Sequence, residues 1–503
     1  MFSQTFGSTT LGLNGVLITV EVDISNGLPA LDIVGLPDTA VKESKERVRA
    51  AIKNSGFEFP SRRITINLAP ADLKKDSSGL DLPIAIGILA ASGQIISKHY
   101  QQYVFISELS LEGKLRGISG VLPMAIHCSE QGVNQIVVAS DNSQEALLVD
   151  GLMVYSPNNL AQLVNHLNGQ DPLTTEKQKS FTNLGINNYE DFADVQGQFV
   201  AKRALEVAAA GGHNLLMVGP PGSGKTMLAR RITSILPTMS TQEALEVTKI
   251  YSIADLLHSH TGLVTTRPFR SPHHTISAAS MVGGGRIPRP GEVTLSHHGV
   301  LFLDELAEFP RTVLEVLRQP LEDGQVTISR VNASFSYPAK LMLLTAMNPC
   351  PCGFLGDSNK GCSCSIGDIN RYRKKISGPL LDRMDIHVHV PRLEYTEMTT
   401  TVPTESSAII RQRVIEARTI QYARLKKYNL FCNAQMSHKH LKTACHMTPG
   451  AQLILKQAFE KMNLSARGYD RILKVARTIA DLAKTDEIAE MHIAEAIHFR
   501  NNI

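Results

Sequence analysis

The segment LLMVGPPGSGKTMLARRI constrains the fold more than any other part of the chain, because an apolar run leads into a glycine-rich stretch and then a helical pattern. The spacing G-x-x-x-x-G-K-[ST] is that of a phosphate-binding loop, whose backbone N–H groups surround a phosphate at the start of a helix. In such a loop Lys225 contacts the β- and γ-phosphates, and the Thr226 hydroxyl binds Mg2+. The predicted nucleotide-binding residues are Gly219, Pro220, Pro221, Gly222, Ser223, Gly224, Lys225 and Thr226.

A second apolar run, Val300–Leu303, ends in Asp304 and Glu305 and predicts a buried parallel strand. Ligands of open parallel sheets bind at the carboxyl ends of the strands, so both carboxylates are expected to face the phosphates. We assign Mg2+ binding through water to Asp304, and activation of the attacking water to Glu305. The alternative is an acidic strand end that caps a helix.

A third run, LMLLTAMN, ends in Asn348, a neutral polar residue suited to positioning that water against the γ-phosphate. Three strand ends therefore carry Lys with Thr, Asp with Glu, and Asn. Core packing does not require polar residues at each of these ends. The combination predicts an enzyme that hydrolyses a nucleoside triphosphate.

The chain has 503 residues, too many for one ordinary core, so roughly two to four domains are expected. Its net charge of +4 neither requires nor excludes a nucleic-acid partner, since the local arrangement of basic residues matters more. The start, MFSQTFGSTTLGLNG, lacks the pattern of a signal peptide. The most apolar stretch, Leu82–Ala91, is shorter than the roughly 20 residues that span a bilayer. We therefore expect a cytoplasmic protein with no membrane partner.

Changes of pattern divide the chain into residues 1–168, a linker at 169–188, a region at 189–392 and a helix-rich end at 393–503. In the first part, GVLITVEVDIS and RRITINLAP alternate as strands do, and a helix is expected between Asp38 as N-cap and Gly56. The third part alternates short apolar runs with helices, which is typical of parallel α/β units.

Four of the seven cysteines lie close together, at Cys350, Cys352, Cys362 and Cys364. In a cytosolic protein thiols stay reduced, so such a cluster is more typical of a metal site than of disulfides. Two C-x-C pairs can supply the thiolates of a tetrahedral zinc site, although this spacing is tighter than the usual C-x2-C. Zinc held by protein ligands alone would be structural, and reduced free thiols are the alternative.

These motifs, in this order, resemble the magnesium-chelatase branch of the AAA+ ATPases. DFADVQGQ resembles the segment that lines the adenine pocket, and GPLLDRMDIHVHVP resembles the box with an arginine finger, which matches Arg383. LSARGYDRILKVARTIADL resembles the sensor-2 helix of the lid, with Arg467 as the first candidate and Arg471 as the second. A finger that acts on the γ-phosphate of a neighbouring subunit implies a homo-hexameric ring. Alternatively, Arg383 pairs only with Asp382 or Asp385.

A closer resemblance, over essentially the whole chain, is to the bacterial ComM/YifB family within that branch. The segments that carry it are VEVDISNGLPALDIVGLPDTAVKESKERVRAAIKNSGFEFP, NLAPADLKKDSSGLDLPIAIGILAASG, RPFRSPHHTISAASMVGGG and the cysteine stretch with RYRKKISGPLLDR. The implied fold is α/β: an N-terminal Lon-protease-like domain of the ribosomal S5 superfold, an AAA+ P-loop domain with a parallel sheet, and a C-terminal helical lid. The implied function is an ATP-driven hexameric helicase that promotes branch migration of DNA during natural transformation.

Two insertions fit a motor that grips DNA. TTRPFRSPHHTISAASMVGGGRIPRPGEVTLSHHG is long for one βα crossover, and in this branch a hairpin inserted here points into the ring pore. DGQVTISRVNASFSYPAKL resembles a second hairpin that precedes the sensor strand. The candidate DNA contacts are Arg267, Arg270, His273, His274 and Arg330. A place at a subunit interface is the alternative for the first four, and the histidine pairs at 273–274 and 297–298 suggest a metal without a complete ligand set.

The N-terminal region raises two further hypotheses. A Lon-type peptidase needs a serine and a lysine as nucleophile and base. The candidates are Lys74, Lys75, Ser77 and Ser78. Leu80 and Asp81 break the small-residue setting of the Lon nucleophile, so we expect no peptidase. DNA binding by a basic helical face is the stronger hypothesis, with a solvated charged face as the alternative. The residues of that face are Lys42, Lys45, Arg47, Arg49 and Lys53.

Two other functions stay open on the sequence alone. The first is metal insertion by a magnesium-chelatase motor subunit, which needs a porphyrin-binding partner chain. A Lon-like domain and a cysteine cluster are not expected in such a subunit. The second is ATP-driven remodelling of protein partners, in which protein and not DNA would stimulate the ATPase.

Overall fold

Strands and helices alternate through the first two thirds of the chain, and helices follow. The computed structural model describes residues 1–73, 75, 78–178, 190–257, 262–285, 289–330, 333–357, 360–393 and 404–500. The strands are β1 (Phe2–Leu11), β2 (Asn14–Ser25), β3 (Ala30–Val34), β4 (Arg63–Ala69), β5 (Tyr103–Ile106), β6 (Glu108–Leu109), β7 (Leu115–Arg116), β8 (Gln135–Val138), β9 (Met153–Tyr155), β10 (Leu215–Val218), β11 (Phe269–Arg270), β12 (Gly283–Gly284), β13 (Arg289–Pro290), β14 (Val300–Leu303), β15 (Gln325–Arg330), β16 (Ala333–Pro338), β17 (Met342–Met347) and β18 (Ile386–His389).

The helices differ in length between the two halves of the chain, and the longest lie near the C-terminus. They are α1 (Thr39–Asn54), α2 (Asp81–Ala91), α3 (Val121–Glu130), α4 (Ser143–Ala146), α5 (Leu160–Leu167), α6 (Phe199–Gly211), α7 (Lys225–Ile235), α8 (Thr241–Ile253), α9 (Ala278–Val282), α10 (Glu292–Leu295), α11 (Arg311–Val316), α12 (Arg318–Asp323), α13 (Ile366–Arg373), α14 (Gly378–Leu381), α15 (Ser407–Leu425), α16 (His438–Ala444), α17 (Pro449–Lys461), α18 (Ala466–Leu482) and α19 (Glu490–His498). Among the described residues, none of these helices is both long and apolar enough to cross a membrane.

The chain forms two units, one of residues 1–183 and 241–264, the other of residues 184–240 and 265–503. The first unit contains a seven-stranded mixed sheet in the order β3-β4-β2-β1-β5-β8-β9. In β2 every second side chain is buried, from Ile18 to Ile24, because successive side chains of a strand point to opposite faces. One face of the sheet packs against α1, α2 and α5, and the other against α3.

The predicted helix after β3 is confirmed as α1. Asp38 occupies its N-cap position, and the chain leaves the helix at Gly56, whose φ of 86° is left-handed. The Gly56 N–H donates to the carbonyl of Lys53, which satisfies one of the last carbonyl groups of the helix. Residues 179–188 of the predicted linker lie outside the described residues.

Helix α8 belongs to the first unit, although it follows α7 of the second in the chain. The Ser252 hydroxyl donates to the buried carboxylate of Glu145, and the Ser252 carbonyl accepts from Gly120 N at 3.1 Å. The domain boundaries expected from the sequence place residues 241–264 in the 189–392 region, whereas the structure joins them to the N-terminal unit. Nothing in the local sequence of α8 indicates which surface covers it.

The second unit contains a five-stranded, entirely parallel sheet in the order β11-β14-β17-β10-β18. Each residue of β10, β14 and β17 is buried, as expected for strands covered on both faces. Because β17 lies between β10 and β14, the residue after β17 lies between the loop that follows β10 and the carboxylates that follow β14. The helical lid, α15–α19, shares one hydrophobic core with α6, α7 and this sheet.

Candidate active site

The loop after β10 is shaped by glycines. Gly222 and Gly224 have φ values of 77° and 87°, a conformation that residues with a Cβ rarely adopt. A Cβ at Gly219 would lie 2.1 Å from the carbonyl oxygen of Val390, so a side chain there would collide with the backbone after β18. Helix α7 begins directly after this loop, and its first N–H groups have no partner within the helix. The loop and helix therefore form the expected anion-binding end of a strand.

Lys225 lies buried in this loop. Its Nζ donates to the carbonyl oxygens of Gly219 at 2.8 Å and Pro220 at 2.9 Å. Burial lowers the pKa of the amine, while the carboxylates of Asp304 and Glu305 act in the opposite direction. Those carboxylates are therefore close enough to interact with it electrostatically. A longer contact of 3.4 Å joins it to the Ser223 hydroxyl, so the partners of the amine are neutral oxygens, which phosphate oxygens can replace.

Thr226 and Asp304 form a ready pair of oxygen ligands. The Thr226 hydroxyl donates to Asp304 Oδ2 at 2.6 Å, although the two residues are 78 positions apart in the chain. A hydroxyl beside a carboxylate at a phosphate-binding loop is the donor set that Mg2+ accepts together with nucleotide phosphates. These residues fit the ion predicted from the sequence.

Glu305 has a strained backbone, with φ at 52°. Its N–H donates to Asp304 Oδ1 at 2.9 Å, and its own side chain is 57% exposed. His274 Nδ1 lies 3.6 Å from Glu305 Oε2, and the His274 ring also contacts Phe309. The left-handed turn directs the chain away immediately after β14, which leaves a carboxylate accessible to water or substrate. A strained residue at such a position is typical of functional sites.

Asn348 follows β17 and is half-buried. The phenol of Tyr372, on α13, forms a hydrogen bond with the Asn348 backbone, and burial raises the pKa of that phenol to about 12. The neutral phenol therefore anchors the end of β17 across the physiological pH range. The sheet order brings Asn348 between the phosphate-binding loop and Asp304, as the sequence predicts from its strand end.

The four clustered cysteines come together after Asn348. All four Sγ atoms lie within 4.8 Å of one another, and all four residues are free thiols. Cys350 is buried and the other three are half-buried. The chain thus assembles four sulfur ligands in the space of one metal ion.

Residues of the cysteine loop also contact the phosphate-binding loop. A Cβ at Gly353 would lie 2.7 Å from Pro221 Cδ, so these two backbones approach closely. Arg392, just after β18, donates to the Pro221 carbonyl at 3.3 Å and lies over the ring of Phe354. Its Nε is 3.9 Å from the buried Asp357 carboxylate. The loop after β17 and the loop after β10 are therefore joined by direct packing.

Arg383 lies at the amino ends of the strands of the same sheet, which we call the amino edge. The carboxyl ends, which carry the phosphate-binding loop, are the carboxyl edge. Its carbonyl accepts from the Asn214 side chain at 3.0 Å, and Asn214 directly precedes β10. Since β10 and β18 are parallel and each residue advances about 3.3 Å, Arg383 is about 13 Å from the phosphate-binding end of the strand. Its guanidinium pairs with Glu322 and donates to the Pro379 carbonyl at 2.8 Å. The alternative prediction, that Arg383 pairs with Asp382 or Asp385, is therefore wrong.

Asp385 has two other partners at this edge. Its Oδ1 is 3.3 Å from Arg471, and its Oδ2 is 3.1 Å from the buried His213 ring. Arg471, the second sensor-2 candidate, is thus part of an ion pair at the amino edge. Arg467, the first candidate, lies in the first turn of α18 and is exposed.

The arginines of the first insertion have intramolecular partners. Arg267 donates to the carbonyl of Pro237 at 2.6 Å and to that of His298 at 2.7 Å. Arg270 forms a bidentate pair with Glu292, with both N–O distances 2.7 Å. These contacts are structural, so the case for DNA binding at the two arginines is weaker than the sequence suggested.

The remaining candidates of the insertions differ in environment. His273 is exposed and shares a hydrogen bond with Thr275, whereas His274 contacts Glu305 as described above. Within the described residues, neither histidine belongs to a cluster of three potential metal ligands. The second insertion is confirmed as a hairpin, in which β15 pairs with β16 and Arg330 lies opposite Ala333 at the end of the ladder.

Of the serine and lysine candidates for a peptidase, Lys75 has hydrogen-bond partners within the first unit. Lys75 is fully buried, and its Nζ donates to the carbonyls of Gly35, at 2.9 Å, and Pro70. Lys74 and Ser77 lie outside the described residues, while Ser78 begins a short turn before α2. Lys75 therefore braces the backbone through these two carbonyls.

Some basic residues of the α1 face have partners within the first unit, and others are exposed. Lys45 donates to the Leu31 carbonyl at 2.6 Å, and Arg47 forms an ion pair of 2.8 Å with buried Asp81. Arg49 lies over the ring of Phe59. The exposed positions Lys42 and Lys53 are the members of this face that remain open to a partner.

Sequence reasoning missed three residues that organise the site: His274 as a neighbour of Glu305, Tyr372 as an anchor of Asn348, and Arg392 as a link to Pro221. Each lies on a segment far from its partner in the chain. His274 and Arg392 share one local signal, a polar residue soon after a strand end. Tyr372 has no such signal.

Comparison with known proteins agrees with this site. The family model described as magnesium chelatase, subunit ChlI, matches residues 191–398; those of subunit ChlI of Mg-chelatase and of the ChlI C-terminal part match 20–142 and 404–500. Competence protein ComM of Haemophilus influenzae is 46% identical over 501 residues, 98% of this chain and 96% of that protein. YifB of Escherichia coli is 45% identical, over 97% and 95%. The 67 kDa magnesium-chelatase subunit of Chlorobaculum tepidum is 28% identical over 37% of this chain and 28% of its own.

The parallel sheet, the phosphate-binding loop and the matched family define an AAA+ ATPase of the magnesium-chelatase type, a class that uses ATP with Mg2+. Within this class, the chain belongs to the ComM/YifB family, as its full-length identity to both relatives shows.

Proposed function

We propose that this chain is the subunit of a hexameric, ATP-driven DNA helicase that promotes branch migration during homologous recombination of DNA taken up in natural transformation. The observation that carries the proposal is the division of groups between the two edges of one sheet. Lys225, Thr226 and Asp304 surround the phosphate-binding end, whereas Arg383 lies at the other end of the strands. An arginine that stabilises the γ-phosphate from there must act on a neighbouring subunit.

Each polar group at the phosphate-binding edge has one role in this proposal. Lys225 binds the β- and γ-phosphates, and Thr226 and Asp304 hold Mg2+, directly and through water. Glu305 accepts a proton from the attacking water, and Asn348 orients that water. Arg467 is exposed at the start of a lid helix, whereas Arg471 is ion-paired with Asp385, so we keep Arg467 as the sensor-2 residue.

The DNA substrate is supported by the relative and by the hairpin. The name of the Haemophilus influenzae relative, Competence protein ComM, associates a protein 46% identical over 98% of this chain with competence, the state in which cells take up DNA. The β15–β16 hairpin is a separate two-stranded ribbon that ends at Arg330. A ribbon of this kind can place basic residues on phosphates, so we propose it as a DNA contact.

Two alternatives to a DNA motor make different demands. Metal insertion is less well supported, because the likeness to the magnesium-chelatase subunit of Chlorobaculum tepidum extends over 37% of this chain and that to ComM over 98%. Remodelling of protein partners uses the same ATPase edge, so it must be separated by the stimulating ligand.

The experiment measures ATP turnover with single-stranded, duplex and forked DNA, followed by dissociation of a synthetic four-way junction in Mg2+ and ATP. We expect stimulation by branched or single-stranded DNA and dissociation that requires hydrolysis. Glu305→Gln should bind junctions with ATP but fail to dissociate them, while Glu308→Gln, a neighbouring exposed carboxylate, should behave as the unmodified protein. Affinity should fall as salt rises, since phosphate contacts release counterions. Turnover unaffected by any DNA, with intact junctions, would contradict the proposal.

The oligomeric state is tested separately by mass photometry with and without a non-hydrolysable ATP analogue. A hexamer in either condition supports the ring. A monomer in every nucleotide and DNA condition would remove the route by which Arg383 reaches a γ-phosphate.

A further inference from the structure

We propose that Cys350, Cys352, Cys362 and Cys364 form a structural Zn2+ site, and that the bound ion holds residues 350–364 against the phosphate-binding loop. The ATPase reaction assigns no role to these thiols, and ATP chemistry does not require them. The proposal therefore adds a second metal, of different chemistry, to the Mg2+ of the nucleotide site.

The distances between the sulfurs match a single tetrahedral ion. Zn–S bonds of about 2.3 Å place the sulfurs of a tetrahedron about 3.8 Å apart. Cys350 Sγ lies 3.4 Å from Cys352 Sγ and 3.6 Å from Cys362 Sγ, and the last two sulfurs are also 3.6 Å apart. All four fall within 4.8 Å of one another. An iron–sulfur cluster distributes its cysteines over several irons and therefore needs wider separations.

Disulfides do not account for the cluster. A disulfide requires an S–S separation of about 2.05 Å, and even Cys350 and Cys352 have their sulfurs 3.4 Å apart. Burial does not account for it either, because three of the four cysteines are half-buried at the surface, where thiols gain little from being grouped. A shared ion is the interaction that makes four converging sulfurs favourable.

Backbone groups around the sulfurs support thiolate ligands. The Cys352 N–H points to Cys364 Sγ at 3.4 Å, which joins the first C-x-C pair to the second. N–H donors of this kind stabilise and orient metal-bound thiolates. Since four protein ligands complete a tetrahedron, the ion has no open position and its role is structural.

The ion would fix a segment that lacks regular structure of its own. The described residues between Cys350 and Cys364 form turns and extended stretches, without a helix or strand. Gly353 nevertheless packs on Pro221, and Asp357 faces Arg392. A metal closes this loop in place of a hydrophobic core, so the contact with the phosphate-binding loop depends on it.

The direct test is the zinc content of the full-length protein, purified without chelators. We expect one Zn2+ per chain, its release when the thiols are titrated with a mercurial, and replacement by Co2+ with the absorption bands of a tetrahedral thiolate complex. Cys352→Ser and Cys362→Ser should each lose the ion, whereas Cys128→Ala, which changes a buried cysteine of the other unit, should keep it. Absence of zinc, an iron chromophore or a disulfide among the four cysteines would overturn the proposal.

A second measurement tests the link to the nucleotide site, and this part rests on the proposed ATP binding. Gly353→Ala should retain one Zn2+ but bind a fluorescent ATP analogue about tenfold more weakly, because Gly353 has φ of 84° and a Cβ would collide with Pro221. Normal nucleotide affinity in Gly353→Ala and in the zinc-free variants would refute the link. Zinc content is measured without ATP or DNA, so failure of the metal site and failure of the motor are distinguishable.

Discussion

The two edges of the ATPase sheet keep their charged side chains in different ways. At the carboxyl edge, Lys225 has backbone carbonyls for partners, and the Glu305 carboxylate is more than half exposed. At the amino edge, Asp385 lies between Arg471 and His213. Burial raises the pKa of Asp385, but the hydrogen bond with His213 and the charges of Arg471 and Lys474 outweigh it, so this pKa lies well below its usual range.

The difference separates groups that exchange partners from groups that hold the fold. Neutral carbonyls around Lys225 are weaker partners than phosphate oxygens, so a nucleotide can displace them. The partners of Asp385 are charged or hydrogen-bonded side chains within the protein, and the carboxylate has little reason to leave them. Arg383 combines both situations: it is largely buried, yet its partner Glu322 is 57% exposed and such a pair contributes little. Arg383 is therefore the member of the amino edge that can exchange its partner.

The largest expected effect comes from Arg383→Ala. We expect ATP turnover to fall by about 10³-fold while nucleotide binding changes little, because an arginine finger, the role proposed for Arg383, stabilises charge in the transition state. Mixing this variant with Lys225→Ala subunits, which keep Arg383 but cannot bind phosphates, should restore part of the turnover. Arg371→Ala, at an exposed arginine, is the control. If mixed rings stay inactive or Arg383→Ala hydrolyses ATP normally, Arg383 is only a partner of Glu322.

Glu305→Gln should lower turnover by about 10²- to 10³-fold with ATP binding intact, because the amide cannot accept the proton of the attacking water. Steady-state hydrolysis and binding of a fluorescent nucleotide measure the two quantities separately. Glu308→Gln should leave both within about twofold, since its partner is the exposed Lys375. Equal losses in the two variants would show that the carboxyl edge responds to charge alone.

Asp385→Asn should lower the free energy of unfolding by about 2–3 kcal/mol without changing nucleotide affinity, because it breaks a largely buried pair. The pKa of Asp385 is lower in the folded than in the unfolded chain, so its contribution is complete above the unfolded pKa of about 4 and declines as pH falls below it. Thermal unfolding between pH 3 and 7 should therefore show a smaller loss of stability at low pH in the variant. Asp382→Asn is the control, and equal pH profiles would refute the structural role.

The smallest expected effect is that of His274→Ala. Its contact with Glu305 is long, at 3.6 Å, and the carboxylate is exposed, so we expect turnover to change by no more than about fivefold, equivalent to 1 kcal/mol. His273→Ala, its exposed neighbour, should change less. A loss as large as that of Glu305→Gln would move His274 into the catalytic machinery at the carboxyl edge.

The strand ends were predictable because buried parallel strands are short apolar runs, and a run ends where its polar residue begins. Asp304, Glu305 and Asn348 follow from that rule. The partners of Arg267 and Arg270 could not be predicted in this way, because an exposed arginine and an arginine held by other residues can have the same local sequence. The difference is the Pro237 carbonyl or the Glu292 carboxylate, which other parts of the chain supply.

The cysteine cluster was predictable as a group from spacing, but its contact with Pro221 was not. Likewise, the place of α8 in the first unit depends on the hydrogen bond from Ser252 to Glu145, more than a hundred residues away in the chain. Local sequence specifies conformation, and such pairings depend on the assembled surface.

Helix α8 has a consequence for dissecting the protein. The chain passes between the two units at 183–184, at 240–241 and again at 264–265, so cutting once after the N-terminal region does not separate them. A shortened ATPase that lacks residues 1–168 would still carry α8, but without α3, against which it packs, and without Glu145 and Gly120, the partners of Ser252. The face of α8 that packs against α3 would then be exposed, and aggregation of the fragment would be mistaken for a requirement of the N-terminal domain in catalysis. A deletion of the N-terminal unit must also replace residues 241–264 with a short loop.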